Sequence, residues 1–330
     1  MNRQVLVPLD GSGMAEAVLP LAATLARSMS GSLTLASVVA DGIIARPLDG
    51  VFPTTPGTWE GYAREAELAR EYLNNVADRL RAEKLVVETV VLEGAPAHAI
   101  VDYAAGHPHV KLIAMATHAR TGIGRLVLGS IAERILHDSP VPILLVHPAG
   151  GGSLSLPASL NPESVRKILV PLDGSAFAEQ SLEQAKLLAA NLGASLILFT
   201  VLQTEYDAVI VDGGTTQDRP LGPEESEANW AVEYLGDVAR RLRLDQLDVE
   251  TRIAYGGPAE EILKAADKLG ADMIVMSTHG RSGLPRLWVG SVAMQVVHDS
   301  NRPVVLVRSK EGVGMHATKI IQNNLKFLMF

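Results

Sequence analysis

The chain has 330 residues, 47% of them apolar, and a formal net charge of −8. That length and apolar content suit two globular domains with separate cores. The acidic balance, with no Lys/Arg run, excludes a general basic field for a nucleic-acid backbone. Cysteine is absent, which excludes a disulfide framework, a thiolate nucleophile and a thiolate-held zinc or iron–sulfur site, and suits a reducing cytoplasm.

The first segment, Gln4 to Leu9, is rich in Val and Leu and ends in Asp10-Gly11-Ser12, so a strand runs into a turn. Too few apolar residues precede Asp10 for a signal peptide, and no run approaches the roughly 18–20 apolar residues of a membrane span. The expectation is a cytoplasmic protein without a membrane span. From Met14 to Ser28, Ala15, Val18, Leu19, Ala22, Ala23 and Ala26 fall at helical spacing. Ser32 to Val39 reads as a second buried strand. Arg46 to Gly57 is dense in Pro and Gly and reads as an exposed loop. Glu60 to Ala82 is a long charged helix with Tyr62, Ala66, Ala69, Leu73, Val76 and Leu80 as its inward stripe. A third strand, Val86 to Leu92, leads to Gly94-Ala95-Pro96, where Pro suits the first turn of a helix that continues to about Ala105. Leu112 to Ala116 is a fourth strand, Gly129 to His137 a helix, and Val141 to Val146 a fifth strand. Strands alternating with helices predict an α/β domain, a doubly wound five-stranded parallel sheet with helices on both faces.

Residues 149–163 contain a glycine run and two prolines without periodicity, which marks a linker. The plan then restarts. Asp173 follows Asp10 by 163 residues within the same Val-Pro-Leu-Asp-Gly-Ser segment. Pro258 follows Pro96 by 162, and Gly290-Ser291 follows Gly129-Ser130 by 161, as His298 follows His137. A nearly constant offset over half the chain is a tandem duplication. It predicts domains at 1–148 and 164–308, with a tail at 309–330. In the tail, Ile321, Leu325 and Leu328 share one helical face, either of a frayed or self-packed segment or of a membrane-surface or partner-binding helix.

The richest stretch occurs twice, as Leu112 to Ile131 and as Met273 to Val292. Each is an apolar strand, a small polar loop with a His and an Arg, then Gly-Ser opening a helix. Free N–H groups at a helix start and the positive end of its dipole favour an anion, and small residues let a phosphate approach. Ligands of such sheets bind beyond the carboxyl ends of the strands where strand order reverses. If the first and fourth strands are neighbours at that point, Asp10 meets the 116–131 loop there and Asp173 meets the 277–292 loop. A carboxylate repels phosphate, so its partner is a neutral donor, a ribose hydroxyl or a base N–H. Together the two features suit a nucleotide.

These residues resemble the universal stress protein family in its tandem two-domain form, from about residue 3 to 308. The resemblance rests on the Val-Pro-Leu-Asp-Gly-Ser openings, the Gly-Ala-Pro-Ala and Gly-Gly-Pro-Ala steps, and the Thr-His-x-Arg-[Thr/Ser]-Gly…Gly-Ser loops. It implies a sheet order of 3-2-1-4-5, domains pairing through their fifth strands within the chain, further homodimerisation, and an adenine nucleotide as ligand: ATP, with or without Mg²⁺. The ATP-binding branch carries Gly-x2-Gly-x9-Gly-[Ser/Thr]. Carried over, Pro171, Leu172, Asp173 and Val201 surround adenine and ribose with Met276, while Ser277, His279, Gly280, Arg281, Gly290, Ser291 and Val292 form the phosphate loop. The first repeat supplies Pro8, Leu9, Asp10, Val38 and Met115, then Ala116, His118, Ala119, Arg120, Gly129, Ser130 and Ile131. Ser277 departs from the pattern once, whereas Ala116 and Ala119 depart twice. A methyl at Ala119 costs roughly 1 kcal/mol or more if that backbone is left-handed or touched by phosphate, so the second site is expected to bind better.

Each of these residues also has an ordinary structural role open to it. Asp10 and Asp173 can cap helices, Met115 and Met276 can pack in the core, His118 and His279 can satisfy loop carbonyls, and Arg120 and Arg281 can lie solvated. The His137-Asp138 and His298-Asp299 pairs answer a helix dipole, and His107 with His109 has no counterpart in the second repeat. There is no P-loop, dinucleotide fingerprint, nucleophile elbow or zinc-protease motif, and neither loop carries a Lys or an obvious general base. The reading is a stress-response regulatory protein that holds ATP rather than an enzyme. The alternatives are a nucleotide-free interaction module and a slow ATPase using Mg²⁺ and a loop-bound water.

Overall fold

A computed structural model of the chain describes residues 3–39, 59–117, 129–147, 165–202, 223–279 and 289–308. The loop predicted at Arg46 to Gly57, the linker at 149–163 and the tail at 309–330 lie outside them. The chain divides into two compact units: unit 1 takes in residues 1–164 with 303–308, and unit 2 takes in 165–302.

In unit 1 the apolar runs become β1 (Gln4–Pro8), β2 (Ser32–Val39), β3 (Val87–Glu93), β4 (Val110–Ala116) and β5 (Ile143–Val146). They align as β3-β2-β1-β4-β5, all parallel, which is the 3-2-1-4-5 order. Leu6, Leu33, Leu35, Ile113 and Leu144 are fully buried, as expected of strands covered on both faces. The helices are α1 (Leu19–Ser28), α2 (Trp59–Ala82), α3 (Pro96–Gly106) and α4 (Ser130–Asp138). A single helix was predicted from Met14, but Ala15–Val18 forms a tighter 3-10 turn before α1, and Pro20 sits within the first helical positions, where its missing N–H costs nothing. Ala66, Leu73, Val76 and Leu80 of the predicted stripe on α2 are buried against β2 and β3, joined by Ala77.

Unit 2 repeats the plan with β6 (Lys167–Pro171), α5 (Ala176–Leu192), β7 (Ser195–Leu202), α6 (Pro223–Leu244), β8 (Val249–Tyr255), α7 (Pro258–Lys268), β9 (Met273–Ser277) and α8 (Ser291–Asp299). Here the local signals agree with the fold at both helix ends: Ser175 accepts the Ala178 N–H at 3.1 Å, and Gly193 closes α5 in the left-handed conformation at φ 67°. The strand order is β8-β7-β6-β9. The last strand, β10 (Val304–Val307), falls in unit 1, where it pairs antiparallel with β5, Val305 opposite Leu144. Val304, Val305 and Leu306 are buried there, so β5 is covered rather than left as an open edge. Among the described residues no helix is long and apolar enough to cross a membrane.

One core position carries an avoidable cost. Thr34, in the middle of β2, is fully buried, and its hydroxyl has no hydrogen-bond partner among the described residues. The position 163 residues on is Ile197, an apolar residue at 1% exposure. Thr34→Val keeps the shape and removes the stranded hydroxyl, and is expected to stabilise unit 1 by about 1 kcal/mol. Urea denaturation of the two proteins side by side checks this; a variant no more stable than the parent shows that the hydroxyl is satisfied in solution.

Candidate functional site

Register brings the predicted residues to one edge of each sheet. In unit 1, Leu6 pairs with Ile113, so Asp10 and Thr117, each four residues further on, reach the carboxyl edge together. In unit 2, Leu169 pairs with Ile274, and Asp173 and Thr278 are likewise each four residues beyond. The first strand of each unit lies between the second and the fourth, so this edge is the point where strand order reverses.

The carboxylates do not cap helices themselves. Asp10 Oδ1 accepts the Ser12 amide at 2.9 Å and the Ser12 hydroxyl at 2.6 Å, while Ser12 Oγ accepts the Ala15 N–H at 3.1 Å. Asp173 Oδ1 accepts the Ser175 amide at 2.9 Å, and Ser175 is the cap. Between them Gly11 and Gly174 take φ of 84° and 81°, a conformation natural only to glycine. The aspartate therefore sets the turn and the serine starts the helix. Asp10 is exposed and Asp173 half-buried. Leu9 and Leu172 are core residues at 3% exposure, and their amides are bonded to the Ala36 and Phe199 carbonyls, each at 2.8 Å. Pro171 is buried; Pro8, Val38 and Val201 are half-buried at strand ends. Met115 and Met276, at 8% and 6% exposure, pack mainly in the core.

The fourth strand of each unit ends opposite a helix start. Gly129 and Gly290 hold the N-cap positions of α4 and α8 in extended conformation, and neither N-cap has a side-chain hydrogen bond. In unit 2 the Gly290 N–H donates to the Thr278 carbonyl at 2.7 Å, which brings the start of α8 onto the end of β9. A Cβ on Gly290 would stand 3.1 Å from that oxygen, a tight contact that a side chain could occupy only if the backbone gave by a few tenths of an ångström. Ser130, Ile131 and Ser291 are exposed and Val292 is half-buried on the first turns. Ala116 ends β4 half-buried, and the Thr117 amide donates to the Val146 carbonyl at 2.9 Å. Ser277, the residue in place of the first glycine, turns back on its own loop: its hydroxyl accepts the His279 amide at 3.1 Å and donates to the His279 carbonyl. The His279 ring meets Thr278 Oγ1 through Nδ1 at 3.1 Å. His118, Ala119, Arg120, Gly280 and Arg281 lie outside the described residues.

His107, His137 and His298 stand apart from this edge. Helices α4 and α8 start at the carboxyl edge and run back, so His137 and His298, in their last turns, are at the opposite end. Each contacts the neighbouring carboxylate through Nδ1, His137 with Asp138, and His298 with Asp299 at 2.7 Å. His107 stacks on Tyr103 and bonds its carbonyl at 2.7 Å.

Sequence reading missed one constellation. Tyr72 on α2 donates to Glu16 Oε1 at 3.1 Å, and Arg79 on the same helix donates to Glu16 Oε2 at 2.6 Å. In unit 2, Arg241 of α6 donates to Glu179 at 3.3 Å, with Tyr234 beside the same carboxylate. Burial, then the Glu16 carboxylate, then Asp10 push the Tyr72 phenol well above its ordinary value near 10. Burial, Glu179 and Asp173 do the same to Tyr234. The signal was present: Glu179 follows Glu16 by 163 residues, and Tyr234 and Arg241 follow Tyr72 and Arg79 by 162.

Comparison with known proteins agrees with this architecture. A universal stress protein of Mycolicibacterium smegmatis is 27% identical over 316 residues, 93% of this chain and 97% of that one. One from Methanocaldococcus jannaschii is 30% identical over 144 residues, 43% of this chain and 82% of its own length. A crystal structure of a universal stress protein from Archaeoglobus fulgidus shares the fold at a TM-score of 0.64, with 22% identity, covering 92% of this chain and 98% of that one. The model of the Universal stress protein family matches residues 1–147 and again 164–308. The chain belongs to the universal stress protein family, with two copies of its domain in tandem.

Proposed function

We propose that the protein is a stress-response regulator that binds an adenine nucleotide, ATP above all, at the carboxyl edge of each sheet, and binds it better in unit 2. The observation that carries this reading is the Gly290–Thr278 hydrogen bond at 2.7 Å. It holds an α8 start without a side-chain cap over the end of β9, the strand next to the one that leads to Asp173. Phosphate oxygens then meet first-turn amides and the positive end of the dipole. Asp173 faces the other end of the ligand and accepts from ribose hydroxyls, away from the phosphates. In unit 1 Ala119 adds a methyl group where the second repeat has Gly280, and Ala116 stands in place of Ser277 without its hydroxyl. Mg²⁺ accompanies the ligand as a phosphate counterion.

The test is to denature freshly purified protein and identify any released nucleotide by chromatography and mass, quantified per chain. One ATP per chain is the expected result; two means that the alanines of unit 1 are tolerated. No released nucleotide, followed by no heat of binding on adding Mg-ATP, overturns the reading. One observation favours the alternative of a nucleotide-free interaction module: Ser277 satisfies itself within its own loop through His279. The same experiment decides between the two.

A further inference from the structure

The Glu–Arg ion pair occurs in both units, with a tyrosine of the same long helix beside the glutamate, and belongs to no phosphate or base motif. Its glutamate is tied at two ends. The backbone amide of Glu16 donates to the Ser12 carbonyl at 3.4 Å, and that of Glu179 to the Ser175 carbonyl at 3.2 Å. These are the serines whose amides hold Asp10 and Asp173. The glutamate side chains reach the other way, to Arg79 and Arg241 on the long helices. We propose that Glu16 and Glu179 are positioning residues, clasping the long helix of each unit to the Asp-Gly-Ser turn and so setting the carboxylate that accepts the ligand's ribose hydroxyls. The inference rests on the nucleotide reading above.

Stability alone does not account for the contact. Arg79 and Arg241 keep 48% and 55% of their side chains exposed, a setting in which an ion pair contributes little to stability. The surroundings also differ between the units while the clasp stays. Met14 and Leu68 of unit 1 are replaced by Phe177 and Trp230 at offsets of 163 and 162, and Trp230 stacks on Tyr234 with ring centres 5.3 Å apart. Trp230 thus packs on Tyr234 where unit 1 has Leu68, and the three residue types are the same in both units. Because the clasp acts on the turn and not on the phosphate loop, its loss weakens every ligand that carries the ribose, with or without phosphates.

The experiment compares adenosine and ATP binding to the full chain, stripped of bound nucleotide, by titration calorimetry. The variants are Glu179→Ala and Arg241→Gln, with Arg240→Gln as control, since Arg240 pairs with Asp237 on the same helix and not with the turn. The expected result is that Glu179→Ala and Arg241→Gln weaken adenosine and ATP by the same factor, about threefold to tenfold, with unchanged circular dichroism, while Arg240→Gln binds as the parent. If Glu179→Ala does not fold, the exposed Arg241→Gln carries the comparison alone. Parent-like affinity in Arg241→Gln, a loss confined to ATP, or an equal loss in Arg240→Gln overturns the clasp and leaves the nucleotide reading standing. A parent protein that binds neither ligand overturns the nucleotide reading, and the clasp with it.

Discussion

Gly31→Ala is expected to cost unit 1 about 3 kcal/mol. A Cβ at this position would lie 2.1 Å from the Arg3 carbonyl oxygen and 3.0 Å from its carbon. Both are backbone atoms, so no side-chain rotation relieves the overlap. The contact follows from how β2 enters the sheet: the Ser32 amide donates to the same Arg3 oxygen at 2.9 Å, pinning the α1–β2 turn against the start of β1. The second repeat solves the turn differently. There Gly193 takes the left-handed position and Ala194 follows, whereas unit 1 has Ser30 at φ 49° and then the glycine. Ser195 still donates to the Arg166 carbonyl at 2.8 Å, so an alanine is compatible with the pairing once the preceding turn is glycine-based. The double variant Ser30→Gly, Gly31→Ala is therefore expected to recover part of the loss, about 1 kcal/mol from the relieved left-handed serine. Hydrogen exchange of the β1 and β2 amides localises the effect to unit 1. Unchanged protection in Gly31→Ala would show that the turn moves aside freely.

The second large effect concerns ligand. Gly290→Val is expected to lower ATP affinity roughly a hundredfold by removing charge-assisted contacts at the α8 start. The added Cβ meets the Thr278 carbonyl at 3.1 Å, and the next nearest atom is the His279 Cα at 3.9 Å. The helix start must lift from the strand end, stretching the Gly290–Thr278 bond and turning the first amides away from the phosphates. The same strain acts without ligand, so the variant alone does not prove a phosphate cradle. Adenosine is the control, since it reaches Asp173 but has no phosphates. ATP weakened far more than adenosine supports the cradle; both weakened alike, or neither, removes the phosphates from this helix start.

Much of the architecture is legible before any coordinates, because its causes are local or periodic. Strands covered on both faces read as continuous runs, as at Gln4 to Pro8 and Met273 to Ser277. Prolines at 96 and 258 announce helix starts. The duplication is visible because one domain plan leaves Asp10 and Asp173, Gly129 and Gly290, and His137 and His298 at nearly equal spacing. The tandem α/β organisation, the edge at which Asp and Gly-Ser meet, and the membership of a family all follow from that pattern.

Other features are decided by groups far apart in the chain. Nothing in Ser175 says that serine, and not the neighbouring aspartate, caps the helix; that depends on which oxygen the turn brings to the amide. Gly31 is an ordinary glycine in sequence, and only the carbonyl of Arg3 makes it obligatory. Glu16 meets Tyr72 and Arg79 across more than fifty residues, and no periodicity of a single helix encodes that contact. β10 follows α8 in the second repeat yet completes the sheet of unit 1, because β5 presents an edge whose backbone groups need partners. Periodicity and turn chemistry are properties of neighbours along the chain, so the sequence alone determined the elements, their repetition and their order. Hydrogen-bond partnership and close approach are properties of neighbours in space, so the caps, the clasp and the place of the last strand were decided only when the chain had packed.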